Sequence, residues 1–136
     1  MRIKLDSGAY KLTRAHSTDA GLDLHSPIRT ELAPFGSVII DTGVHIELPK
    51  GTVGLIKSKS GLMTKYGITS DGTIDEDYRG SIRVMLFNHS REFYMVEKGD
   101  KISQLVIIPI LRPDVEIVEH LTDTERGEKG FGSSGR

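Results

Sequence analysis

Apolar positions along this 136-residue chain fall in short runs that alternate with polar ones. Glycine, proline, aspartate and serine interrupt them at intervals close to those of sandwiches and barrels. Ile82, Val84 and Leu86 alternate with Arg83, Met85 and Phe87. That period of two predicts a strand, and the apolar Met85 and Phe87 lead us to expect cover on both of its faces. Further strands are predicted over residues 22–24, 37–40, 43–48, 53–56, 93–96 and 102–108, the first one spanning 81–87. Only residues 60–65 could form a helix, of a turn or two. The predicted fold class is therefore all-β with at most one short helix. There is no internal repeat and no long linker. Residues 122–136 differ from the rest: they are polar and glycine-rich, with Phe131 their one aromatic, and by composition they read as a flexible tail.

Composition narrows the class. The length suits one domain with a real core. Eighteen basic and nineteen acidic side chains give a net charge of −1, so no whole-molecule field draws in nucleic acid or membrane. The absence of cysteine removes disulfides, thiolate catalysis and cysteine-ligated zinc. The charged start and the lack of a long apolar run lead us to expect a soluble, cytoplasmic protein without a targeting segment.

The densest chemistry lies between Gly72 and Gly80, where Thr73 and Ile74 run into Asp75, Glu76 and Asp77, followed by Tyr78 and Arg79. β-branched residues between glycines predict a strand entering a tight hairpin. Three adjacent acids at a turn can be solvated or can face a cation. Other patterns fail. The glycines of 127–132 are in the wrong order for a dinucleotide fingerprint, and too little chain follows for a helix. Lys57-Ser58-Lys59-Ser60 lacks the glycine frame of a P-loop. The five histidines are not paired at metal-ligand spacing, and no nucleophile elbow is present.

Five segments remain: 19–24 (DAGLDL), 57–62 (KSKSGL), the 72–80 turn, 99–105 (GDKISQL) and 126–135 (RGEKGFGSSG). In this order and spacing they closely resemble the motifs of the trimeric dUTP diphosphatases (dUTPases), across essentially the whole chain. The resemblance implies a jelly-roll-like β-barrel subunit of a homotrimer. Residues 1–121 would form the β domain, and residues 122–136 an arm closing over an active site shared between subunits. It implies Mg²⁺-dependent hydrolysis of dUTP to dUMP and pyrophosphate, which limits uracil incorporation into DNA and supplies dUMP for dTMP synthesis.

The resemblance also assigns roles. Asp75 matches the catalytic base that activates water. Tyr78 would pack on the deoxyribose and exclude a 2′-hydroxyl. Asp23 would hold Mg²⁺ through a water. Lys59, Ser60, Gly61, Gln104 and Arg126 would grip the phosphates. Phe131 would stack on uracil, with Gly132 and Ser133 wrapping the triphosphate. Backbone groups around Gly72 and Arg83 would read the base, near Thr69. Against the usual pattern, Lys59 and Lys101 replace arginines, Thr69 an asparagine, Ser103 an alanine and Lys129 a glycine. A lysine keeps the charge but loses the planar fork. Two alternatives are weighed. A dCTP deaminase relative would need a glutamate where Met85 stands. A dUTPase-fold protein could instead engage a regulatory partner, as some phage members do. No direct nucleic-acid binding is expected.

Overall fold

Alternation becomes pairing along most of the chain, and ten strands and one helix form among the described residues. They are β1 (Arg2–Leu5), β2 (Gly21–His25), β3 (Thr30–Leu32), β4 (Ser37–Asp41), β5 (Val44–Glu47), β6 (Thr52–Lys57), α1 (Ser60–Tyr66), β7 (Ile68–Ile74), β8 (Arg83–Asn88), β9 (Tyr94–Val96) and β10 (Lys101–Pro109). The computed structural model describes residues 1–130. Phe131, Gly132 and Ser133 lie outside them. A six-stranded sheet in the order β2-β10-β6-β7-β8-β4 is accompanied by the two-stranded pairs β1-β5 and β3-β9. The result is the expected all-β, jelly-roll-like chain with one short helix. Among the described residues no helix is long and apolar enough to cross a membrane.

The curled sheet encloses Leu24, Ile40, Ile56, Ile82, Val84, Leu86, Ile102 and Leu105. Burying each such side chain removes apolar area worth roughly 1.5–3 kcal/mol. On β8 only Val84, Leu86 and Asn88 are buried, while Phe87 stays 39% exposed. Cover on both faces, as the sequence led us to expect, is therefore not found within the described chain. Helix α1 stops at Gly67, whose φ of 67° is left-handed and whose N–H donates to the Met63 carbonyl at 3.1 Å.

The sheet forks at β7. Residues 71–74 pair with β6, whereas only residues 68–70 pair with β8. Past Ser70↔Leu86 the facing edges of β7 and β8 diverge, and β8 turns its other edge to β4 through Asp41↔Arg83. The connection is also looser than the predicted tight hairpin. Residues 75–82 join the strands, with a reverse turn closed by the Tyr78 N–H on the Asp75 carbonyl at 3.1 Å.

Candidate active site

Two clusters of the predicted residues form at opposite ends of β6. The first is a cavity of about 270 Å³ lined by Asp19, Ala20, Gly21, Asp23, Lys59, Ser60 and Gln104. β10 runs antiparallel to β2 with Gln104 opposite Asp23, which sets amide and carboxylate side by side. Gly21 leaves Gln104 its place, since a Cβ would stand 2.2 Å from Gln104 Oε1 and displace that side chain. Gln104 Nε2 donates to the Ser58 carbonyl at 3.0 Å. Ser60 begins α1, with the Gly61 amide beside it.

Asp23 is 3% exposed and lies between two ammonium groups, Lys59 Nζ at 2.6 Å and Lys101 Nζ at 2.7 Å. Burial alone would raise its pKa, but hydrogen bonds and charge from Lys101 and Lys59 outweigh it and hold the carboxyl below its ordinary value. Lys59 and Lys101 together balance Asp23 and the Asp19 that also lines the cavity, and their ammonium groups are the donors it offers to phosphate oxygens. Lys101 was absent from the predicted site. Only the bulge at Ile102, which shifts the β2–β10 register, brings it onto Asp23.

The donor set limits how a metal could bind. Among the described residues no group of three His, Asp or Glu could hold an ion. Both Asp23 oxygens already accept from lysines, and each keeps a lone pair for a water. The residues therefore fit Mg²⁺ that arrives with a ligand and keeps its waters, not a dedicated cage.

The second cluster is the 75–82 loop. Asp75, Glu76, Asp77 and Arg112 line a cavity of about 330 Å³. The three acids are not equivalent. Glu76 Oε2 accepts from the Gly51 N–H at 2.8 Å and from Arg112 at 2.7 Å, which braces the loop against the β5–β6 turn. Arg112 first, then Gly51, holds Glu76 below its ordinary pKa. Tyr78 folds over Gly80, where a Cβ would meet its ring at 2.2–2.9 Å, and its hydroxyl donates to the Ser81 carbonyl at 3.0 Å. Ser81 in turn donates to Asp41, on the strand beside β8.

Between the clusters lies the slot where β7 and β8 diverge, flanked by Gly72 and Arg83. Strand edges not paired with each other need other hydrogen-bond partners, so the slot can read a flat polar ring through backbone groups. Arg83 itself reaches Asp41 at 3.5 Å, with its side chain 70% exposed. Thr69 stands at the far end of β7, its hydroxyl 2.8 Å from His89 Nε2. Arg126 is not brought to either cluster; its Nε donates to the Lys129 carbonyl at 3.0 Å.

Within one chain the two clusters stand apart along β6. Asp75 follows Ile74, opposite Gly54, whereas Lys59 and Ser60 follow Lys57 at the other end of β6. At about 3.3 Å per strand residue they are separated by on the order of 15–20 Å. A general base must come within about 3 Å of the proton it takes.

The family model for dUTPase matches residues 9–135. The deoxyuridine 5′-triphosphate nucleotidohydrolase of Gloeothece citriformis is 46% identical over 135 residues, covering 97% of this chain and 93% of that protein. The dUTPase of Staphylococcus bacteriophage 80alpha, solved with dUpNHpp, superposes with a TM-score of 0.93 at 34% identity, covering 99% and 98% of the two chains. It is described among phage dUTPases that control transfer of virulence genes. A mutant dUTPase from phage phi11 of S. aureus, described as coordinating a structural Mg(II) ion, gives a TM-score of 0.81 at 30% identity, covering 88% and 96%.

Proposed function

The chain belongs to the dUTPase family, and we infer that it is a dUTP diphosphatase, releasing dUMP and pyrophosphate by attack of water on the α-phosphorus. The match over residues 9–135 carries this reading. The site residues give it a mechanism. Asp75 orients and deprotonates the attacking water. Uracil lies in the slot between β7 and β8, where fixed backbone donors and acceptors at its Watson–Crick edge exclude cytosine. Tyr78 covers the sugar and leaves no room for a 2′-hydroxyl. Lys59, Ser60, Gly61 and Gln104 take the phosphates in the first pocket, and Lys59, being less directional than arginine, holds them as a point charge. Asp23 would hold, through a water, Mg²⁺ brought in with the triphosphate, and that ion would supply positive charge for the phosphates. Met85, half-buried opposite Ile39 on β4, cannot shuttle a proton as deamination requires.

The separation of the clusters favours a homotrimer in which the loop of one subunit faces the pocket of another. Residues 122–136 close over the assembled site, with Arg126 on the terminal phosphate and Phe131 on the base. A chain ending at Thr124 is expected to fold and trimerise normally by mass and melting, yet to be nearly inactive.

Turnover of dUTP, dCTP and UTP by the purified protein tests the reading. Pyrophosphate release from dUTP alone is expected; ammonia release from dCTP would overturn it. Gly80→Ala tests the sugar contact without touching Tyr78. Its methyl needs the space the ring occupies, and no left-handed φ complicates the change. The ring should be displaced and UTP rejection should fall by about tenfold, the order expected for losing one well-placed contact. Unaltered rejection would show that the sugar is read elsewhere.

A further inference from the structure

The sugar-reading loop is held from behind by a histidine that no part of the mechanism above uses. His45 lies on β5, at the back of a cavity of about 330 Å³ lined also by Arg2, Lys4, Glu47 and Arg79. Its Nδ1 is 2.8 Å from the Arg79 carbonyl, in the residue after Tyr78. Its Nε2 is 3.1 Å from Asp6 Oδ2, just past β1. A carbonyl oxygen and a carboxylate both only accept. A neutral imidazole has one N–H, which goes to the stronger acceptor, the Asp6 carboxylate, and sets a lone pair against the Arg79 carbonyl; only the imidazolium satisfies both.

We propose that His45 is a positioning residue for the Tyr78 loop: as an imidazolium it ties the Arg79 carbonyl to Asp6, and deprotonation releases the loop and weakens rejection of ribonucleotides. The inference rests on the reading of Tyr78 as the sugar contact.

The charges around His45 support the tether. Lys4 stands directly across on β1 and opposes protonation, while also lying 3.9 Å from Asp6 Oδ1. Arg2 and Glu47, next along the ladder, are paired with each other. The Arg79 guanidinium turns back to the Glu76 and Tyr78 carbonyls at 2.8 and 3.0 Å. The Arg79 carbonyl first, then Asp6, holds the His45 pKa above its ordinary value, against slight burial and Lys4. The tether is therefore complete below the ordinary histidine range and is lost as pH rises through the raised value.

The experiment measures the ratio of kcat/KM for dUTP to that for UTP in the full-length enzyme between about pH 6 and pH 9. The two substrates share the same triphosphate, so its ionisation cancels. In the wild type the ratio should fall with rising pH by up to about tenfold, the worth of one charge-assisted hydrogen bond. His45→Ala should give the low ratio at every pH. His45→Asn, whose amide can occupy the place of Nδ1, should hold the Arg79 carbonyl and keep the ratio high throughout. If His45→Ala does not fold, Asp6→Asn should move the fall to lower pH, because the partner that favours the imidazolium is gone. A second readout needs no nucleotide. The Gly80 amide shares a peptide group with the Arg79 carbonyl, and its nitrogen resonance should titrate with the His45 ring. A wild-type fall that persists in His45→Ala, or a Gly80 signal indifferent to His45, overturns the tether. A titrating Gly80 with a flat substrate ratio leaves the tether standing and removes Tyr78 from the sugar.

Discussion

Asp75→Asn is expected to lower kcat for dUTP by roughly 10²–10⁴-fold while leaving the affinity for a non-hydrolysable analogue near that of wild type. The asparagine amide keeps the shape of the carboxylate but cannot accept a proton from water. Asp75 is favoured over Glu76 on structural grounds. Glu76 is occupied by the Gly51 amide and Arg112, and its work is to brace the loop. Glu76→Gln should therefore lose charge against Arg112 and loosen the loop, with a loss of less than about tenfold, typical for one exposed ion pair and its geometry. Stopped turnover and calorimetric binding on both variants give the comparison. An active Asp75→Asn beside an inactive Glu76→Gln would move the base by one residue.

The fold was legible wherever burial imposes alternation. β6, β8 and β10 each carry buried aliphatics that announce them, and the frame of the sheet follows. β1 and β3 were not readable. Arg2-Ile3-Lys4-Leu5 is exposed at every position and exists through its ladder to β5, while Thr30-Glu31-Leu32 buries only Leu32 against β9. Most of β7 was hidden for a different reason: Asp71 and Gly72 look like a turn, but β6 pairs with them. At the site, the acids, Tyr78 and Gln104 are visible as residue types in order. Their environments are not. Lys101 reaches Asp23 through a bulge, Glu76 is committed to Gly51 twenty-five positions away, and His45 meets Arg79 across thirty-four. Local spacing carries no information about such contacts, because strand register sets them. The fork between β7 and β8 is likewise a property of which strands lie on either side. Phe131, Gly132 and Ser133, read as base and phosphate contacts, lie outside the described residues.

Two inactive variants should restore each other when mixed. Ser60→Glu adds a further carboxylate to a pocket already lined by Asp19 and Asp23 and should repel the triphosphate. It should also fold, since Ser60 is exposed and an acid suits the first turn of α1, where none is present. Asp75→Asn leaves the pocket intact and lacks the base. If the loop of one subunit serves the pocket of the next, each pure trimer contains only defective sites. After subunit exchange at equal amounts, some sites combine the intact loop of a Ser60→Glu chain with the intact pocket of an Asp75→Asn chain. With random mixing in a closed ring, about one site in four is of this kind, and activity should return to about a quarter of wild type. The separation of the clusters along β6 is the reason to expect it, because no rotamer of Asp75 crosses such a distance to its own pocket. Mass measurement confirms exchange independently of turnover. A mixture that exchanges and stays inactive would mean that loop and pocket meet within one chain, and the loop would then have to fold back along β6 on binding dUTP.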